Sequence, residues 1–543
     1  MTRKRRRLPM PLLALVAVLA LLAACTGGGG GAPKAGGPTA SEGSPVPGGR
    51  LVYGLAADAA GFNPVTDAFS AQSYTMADTI IEPLVDVDAT GQWRPWLAKS
   101  LKPNADYTSW TITMRPGIKF SNGEPLTADL VRQNLQAQKK SALTSAVFAK
   151  VKGATVVGGD AVRVDLEGPW VAFPYTLASQ VGMIVPKASL DNPKQASQHP
   201  VGTGPFTFAR YIPGNRLLVV KNPNYWRKGL PYLSRVEFRI LPDPQTRAQT
   251  LESGGIDAMA SNRDDDILKF QKLPGYRIYR AAGMSVPEVA FMLNTGAPPF
   301  NDLRMRQALA YATNRQAIIS TLRSNLTKPA DGPWSPDAKW YVPGGYPDFD
   351  LAKAKALVAA YKAQHPGPVS ITLMSLPDPT TMENVQLAQD MWGKAGITVH
   401  IKQADQPDLI QRALTGNYQA TIWSQFTAPD PDGEYVWLHS SFARPVGQIS
   451  IDMSRIRDPQ LDAALDEGRS NPDTATRKKA YATVQRRLRA LLPYIWVDHL
   501  TTNAVIAGPK VHGLGQYTFP DGAIGKPLIS SSTHPFFDIW VAE

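Results

Sequence analysis

Apolar and polar positions alternate with a period of two over Trp110-Thr111-Ile112-Thr113-Met114, Val162-Arg163-Val164-Asp165-Leu166 and Val236-Glu237-Phe238-Arg239-Ile240, the pattern of half-buried strands. Val369, Ile371 and Leu373 alternate in the same way, as do Ile397, Val399 and Ile401, and a further strand is predicted over 418–423. A helical period takes over elsewhere. Met305, Ala308, Leu309 and Ala312 fall at i, i+3, i+4 and i+7 behind Pro298-Pro299, with Asn301 or Asp302 placed to cap them. Ala354, Leu357, Val358 and Tyr361 repeat that spacing behind Asp350. Tyr481, Val484, Leu488 and Leu491 mark a long helix behind Asp473, stopped by Pro493. Shorter helices are predicted over 70–81, from Thr127 onward, over 243–253 and over 381–392. A strand opens the body at 49–54 and another lies at 256–259. Strand, helix and strand over 236–259 form a βαβ-like unit, and the same order over 369–401 marks a second α/β lobe. No fixed-period repeat is visible.

The first fifty residues follow a different logic. Arg3-Lys4-Arg5-Arg6-Arg7 precede an apolar run from Leu12 to Leu22 that is too short for a comfortable membrane span, and small residues lead into Cys25. This is the pattern of an export signal, and the basic region suits either the general or the twin-arginine route. Residues 26–49 are Gly, Pro, Ala and Ser with almost no apolar bulk, a flexible tether reaching roughly 25–30 Å. The formal charge of +12 falls to +7 once the five basic residues of the signal are set aside. What remains is scattered, as in Arg477-Lys478-Lys479 and Arg486-Arg487, which read as a solvated helix face, so nucleic acid is not an expected partner. At 543 residues, 43% hydrophobic and 19% charged, the chain is globular and long enough for two or three lobes.

Catalytic and metal motifs are missing. None of the seven histidines has zinc-type spacing, and the single cysteine lies in the signal region. Asp86-x-Asp88-x-Thr90-Gly91 begins like a calcium loop, but Leu97 stands where a bidentate glutamate is needed, so it reads as a turn. Asp430-Pro431-Asp432-Gly433 lacks ligands in the same way. There is no Gly-x-Ser-x-Gly elbow and no phosphate loop ending in Gly-Lys-Ser/Thr. No enzyme and no cofactor are expected, although remote carboxylate pairs leave an envelope hydrolase as an alternative. Gly202-Thr203-Gly204-Pro205 is a sharp turn that either cradles a phosphate or serves a close approach of the backbone.

Three blocks resemble the family 5 solute-binding proteins, the large oligopeptide-, dipeptide- and nickel-type receptors of bacterial ABC importers. One runs from Val201-Gly202-Thr203-Gly204-Pro205-Phe206 through Asn222-Pro223-Asn224-Tyr225-Trp226 to Leu251-Glu252-Ser253-Gly254-Gly255-Ile256-Asp257. The second is Met114-Arg115-Pro116-Gly117-Ile118-Lys119-Phe120 with Gly123-Glu124-Pro125-Leu126-Thr127-Ala128. The third is Pro299-Phe300-Asn301-Asp302 through Arg306-Gln307-Ala308-Leu309 to Asn314-Arg315. One departure is visible: Phe120-Ser121-Asn122-Gly123 stands where the family usually has Phe-His-Asp-Gly. Leu22-Ala23-Ala24-Cys25 likewise resembles a bacterial lipobox, in which Cys25 is the lipidated residue.

The resemblance implies an α/β, two-lobed clamp of the periplasmic-binding-protein type, with a discontinuous first lobe and an inserted α+β subdomain. The expected boundaries are a signal peptide over 1–24, a lipidated cysteine and linker over 25–49, and a first lobe over 50–86, 201–295 and 506–543. The inserted subdomain is expected over 87–200 and the second lobe over 296–505. In this reading the glycine turn at 202–204 is the corner where the subdomain returns the chain to the first lobe. The implied function is capture of a peptide or other small solute between the lobes and its delivery to ABC permease and ATPase subunits. The receptor would be monomeric and lipid-anchored outside the cytoplasmic membrane; an envelope interaction protein on the same fold is the other alternative. Trp423, ending its strand, resembles the family's cleft tryptophan. Three residues on, where peptide-binding members carry an aspartate for the ligand's amino group, this chain has Phe426. Gln425, Asp430 or Asp432 on the following loop, Asn294 at the crossing into the second lobe, and Phe62 and Asn63 after the first strand complete the candidate contacts. For Asp430 and Asp432 a solvated turn is the competing reading, and for Asn294 a structural hydrogen bond.

Overall fold

The opening strand, Arg50–Leu55, lies inside a seven-stranded sheet, between Arg235–Ile240 and Ala258–Ser261 and parallel to both. The expected βαβ unit therefore forms, with helix Pro244–Glu252 capped by Asp243, but the first strand is threaded between its two strands. The hairpin Phe206–Ile212 and Arg216–Lys221 extends one edge of the sheet, and Ala504–Ala507 with Arg277–Arg280 completes the other. Leu51, Tyr53, Leu55, Phe206 and Phe238 pack on one face, while Val52, Ile256, Met259 and Ile506 pack on the other. The computed structural model describes residues 43–424, 428–529 and 536–542, and Pro45–Glu543 forms one compact unit.

The inserted subdomain is a four-stranded antiparallel sheet. Its order is Ala98–Pro103, Ser109–Met114, Ala161–Leu166, Val151–Val157, and helix Ala128–Lys140 packs against it. Thr127 caps that helix, its hydroxyl accepting from the Leu130 amide at 3.2 Å. Asp86 and Val87 end a short strand, Val85–Val87, and the residues from Asp88 to Gln92 turn the chain back to its partner, Trp93–Pro95. Asp88 Oδ1 accepts from the amides of Thr90 and Gln92 and from the Thr90 hydroxyl.

Close approach, not a ligand, accounts for the glycine turn. A Cβ on Gly202 would overlap the Ile80 carbonyl oxygen, and one on Gly204 would lie 2.6 Å from the same atom. The Gly204 amide donates to that carbonyl at 2.8 Å. Beside the turn, the buried Glu82 carboxylate collects donors from both halves of the motif: Thr203 Oγ1, Tyr225 OH and Trp226 Nε1, together with Trp96 Nε1, at 2.7–2.9 Å. Burial raises the Glu82 carboxyl above its ordinary value while these four bonds oppose the shift. The motif thus ties the first lobe to the subdomain.

A six-stranded sheet organises the second lobe, in the order Lys328–Pro329, Tyr494–His499, Glu288–Leu293, Ala420–Trp423, Val369–Ser375, Ile397–Gln403. Val369–Ser375, helix Pro379–Lys394 and Ile397–Gln403 make the expected strand-helix-strand unit. On one face Phe291, Leu293, Leu373 and Ile495 meet the buried Trp392; on the other, Ala290, Met292 and Trp496 meet Trp334 and Trp340. Helices Leu303–Ala312, Leu351–Lys362 and Thr474–Leu491 are capped by Asp302, Asp350 and Asp473, and the last ends at Leu492 in the left-handed region before Pro493.

Two boundaries differ from expectation. Glu288–Leu293 already belongs to the second sheet, so the chain changes sheet over 281–287 and not at 295–296; it returns over 500–503, before the expected 505–506. Both central strands, Glu288–Leu293 and Tyr494–His499, are buried at every position, so they carry no alternation to announce them. Helix Ala71–Ala77 is also shorter than the expected 70–81.

Candidate functional site

The two crossings run side by side: the Ala281 amide donates to Asn503 O and the Leu500 amide to Pro287 O, both at 2.8 Å. In the second sheet Glu288 and His499 pair directly at this end, and the neighbouring strand runs antiparallel, so Ala420–Trp423 points its last residue toward the crossings. Trp423 lies opposite Ala290, half-buried and packed against the tryptophan-rich core of that face. The sheet thus brings the expected cleft tryptophan to the end of the lobe where the chain passes between lobes.

Gln425 and Phe426 lie outside the described residues, as does Cys25. Asn294 is at the other end of its strand, six residues beyond Glu288 and not at the crossing as expected. Its side chain is fully buried and engaged, Nδ2 donating to the carbonyls of Gly416 and Tyr418 and Oδ1 accepting from Gly296. Phe62 is likewise fully buried, edge-on to Tyr211 in the first-lobe core, and Asn63 Oδ1 accepts from Val65 in a local turn. Asn294 lies four residues beyond Ala290, the register partner of Trp423, and Phe62 packs in the first-lobe core.

Asp430 and Asp432 are not solvated turn acids. They are 1% and 6% exposed, paired with the buried Arg477 and Arg469 on helices Thr474–Leu491 and Pro459–Ser470. Arg477 Nη2 donates to Asp430 Oδ1 at 2.6 Å, so this residue leaves the solvated helix face on which the sequence placed it, while Lys478 and Lys479 stay exposed. Asp430 Oδ2 is buried with no hydrogen-bond partner among the described residues. Burial pushes the Asp430 carboxyl up and the Arg477 charge opposes it. Arg469 binds Asp432 through Nε at 2.6 Å and Nη2 at 3.1 Å.

Asp432 and Arg469 also reach across to the inserted subdomain. Trp170 Nε1 donates to Asp432 Oδ2 at 2.7 Å, the Val171 amide donates to Arg469 O at 2.9 Å, and the Arg469 guanidinium lies 4.4 Å from the Trp170 ring. Sequence reasoning noticed the Asp-Pro-Asp-Gly turn but missed its partners, which lie 262 and 37 residues away. It also missed a buried polar group at the crossing end. Burial pushes Glu434 well above the ordinary carboxyl range, with the Glu288 charge adding to the shift. His499, fully buried with both ring nitrogens unbonded among the described residues, is pushed down to about 3 by desolvation. A glutamate and a histidine breaking otherwise apolar runs were the available signal.

Two α/β lobes joined by paired crossings, with aromatic and acidic side chains gathered where the lobes meet, define a solute-binding clamp of the periplasmic-binding-protein type. The chain belongs to the bacterial extracellular solute-binding proteins, family 5, whose middle-region model matches residues 92–444. It is 30% identical over 447 residues to Protein XP55 of Streptomyces lividans, covering 79% of this chain and 80% of that one. It is 25% identical over 461 residues to the nickel-binding periplasmic protein of Escherichia coli (strain K12), covering 80% and 86%. Among solved structures, the ABC transporter-associated periplasmic binding protein DppA from Helicobacter pylori, in complex with the peptide STSA, superposes with a TM-score of 0.80 at 22% identity, covering 92% of this chain and 99% of that one. That likeness establishes the fold. Among the described residues no helix is long and apolar enough to cross a membrane.

Proposed function

We propose that this protein is the receptor of an ABC importer, taking a small solute between its two lobes and delivering it to the permease and ATPase subunits. What carries this reading is the placement of Trp423 at the crossing end of the second sheet, beside the loop whose far side, at Asp432, bonds to Trp170 of the inserted subdomain. An aromatic wall in a cleft that closes by hinge motion captures a solute by apolar contact, and nearby polar groups orient it. Gln425 and Phe426 on that loop are the proposed neighbours of Trp423, and Asp430 Oδ2, without a hydrogen-bond partner among the described residues, is the proposed acceptor. A phenyl ring at 426 offers an ammonium group only cation–π attraction, which argues against recognition of a free peptide amino group at that position. Relatives named for nickel and for glutathione show that one fold serves unlike solutes, so the family alone does not name this one. Anchoring is proposed through lipidated Cys25, with the tether letting the body reach its permease.

Native mass spectrometry of protein purified without denaturation tests the reading directly. A bound small molecule, released when Trp423 is replaced, is the expected result. An empty protein that no member of a broad solute library stabilises against heat, together with unimpaired uptake in a deletion strain, would overturn it.

A further inference from the structure

Beyond the far end of the Glu288–Leu293 strand, away from the crossings, the surface of the second lobe sinks into a cavity of about 410 Å³. That volume lies in the range of small-molecule sites, roughly 300–1,000 Å³. Four arginines line it, Arg306, Arg444, Arg455 and Arg457, and no carboxylate does among the described residues. Arg306 and Arg455 are buried, 6% and 4% exposed, whereas Arg444 and Arg457 are exposed.

Carbonyl oxygens, not acids, hold these cations. Arg306 donates to Phe300 O and Leu491 O. Arg444 Nη1 and Arg457 Nη2 both donate to the Ala443 carbonyl, at 3.1 and 2.7 Å, so two guanidiniums converge on one uncharged acceptor. Arg455 places both terminal nitrogens on backbone carbonyls of Ala413, Leu414 and Met453, and its Nε is buried with no partner among the described residues. The buried Asp452 feels Arg455 and Arg457, but its carboxylate bonds go to Ser454 Oγ and the Arg455 amide. Asp452 and Asp302 act on Arg455, Arg457 and Arg306 only through space, and positive charges gathered with no carboxylate bonded to them repel one another, a cost that an oxyanion among these planar, paired donors removes.

We propose that this cavity binds a small, multiply charged oxyanion at a site separate from the solute cleft. Isothermal titration of the intact protein with inorganic phosphate, pyrophosphate and citrate, at ionic strength fixed with sodium chloride, tests it. Saturable binding of at least one anion is expected, weakened at least tenfold in the Arg444→Ala/Arg457→Ala double variant, with the melting temperature and the affinity for the cleft solute unchanged. A second variant, Val446→Glu, keeps every arginine and adds a negative charge at an exposed lining position, and it is expected to abolish anion binding. No saturable binding of any of the three anions, or equal binding by the wild type and by Val446→Glu, overturns the proposal. Neither result bears on capture of a solute between the lobes.

Discussion

Replacing Trp170 by phenylalanine removes a side-chain hydrogen bond that joins the inserted subdomain to the Asp432–Arg469 pair. A phenyl ring keeps an aromatic face beneath Arg469 and toward Phe173, while the Nε1–H donor to Asp432 Oδ2 is lost together with part of the buried ring volume. A hydrogen bond to a charged group contributes about 1.5–3 kcal/mol. Asp432 keeps both of its bonds from Arg469, so it is not orphaned, and the loss falls at the lower end, about 1.5 kcal/mol. The donor lies in the inserted subdomain and the acceptor in the second lobe, so the loss weakens the closed arrangement in which the two meet. Since about 1.4 kcal/mol is a factor of ten, the ratio of closed to open molecules drops roughly tenfold. The apparent solute affinity drops with it wherever closure limits binding. Small-angle X-ray scattering of the free and solute-bound variant, paired with titration of the co-purified solute, reads both quantities. Unchanged scattering and affinity, accompanied by a lower melting temperature, would show that the contact serves folding alone and would refute the reasoning.

Half-buried elements were legible in the sequence because their two faces differ. The Trp110, Val162 and Val236 strands, the βαβ order and the helix starts at Thr127, Asp302, Asp350 and Asp473 all follow from local pattern. Glu288–Leu293 and Tyr494–His499 were not legible, since a strand buried on both sides has no polar face, and missing them displaced both lobe boundaries. The Gly202 turn was recognised, but its reason lies in Ile80 and Glu82, more than a hundred residues away. The same limit applies to the site. Trp423 could be placed because it ends a visible strand, whereas Asn294 was misplaced because its strand was invisible. Arg477 reads as one of three consecutive basic residues, and only the helix packing shows that it turns inward to Asp430 while its neighbours face water.

Truncating Trp423 to alanine is expected to weaken solute binding by more than about 1 kcal/mol, measured by calorimetry, and an unchanged affinity would remove the ring from the site. Gly202→Ala is expected to destabilise the protein by at least about 2 kcal/mol, because the new methyl must displace the Ile80 carbonyl; an unshifted denaturant midpoint would contradict the close-approach account. His499 supplies a dependence on pH. Its folded value of about 3 lies below the ordinary 6.5, so between these limits the unfolded chain binds the extra proton and stability rises with pH. The contribution is complete above about pH 6.5 and is lost as pH falls toward 3, with a slope of at most about 1.4 kcal/mol per unit. Glu288 and Lys328 lie opposite His499 on its two neighbouring strands, and the charges of Asp337 and Lys328 act on His499 in opposite senses, so burial is left as the main cause. His499→Phe removes the titration while keeping an aromatic ring in the same buried position. Denaturant melts at pH 4, 5, 6 and 7 should show the difference between wild type and variant shifting in favour of the wild type as pH rises, by about 2–4 kcal/mol across the range. Parallel curves would mean that His499 binds its proton equally in the folded and unfolded chains, and would refute the depression by burial.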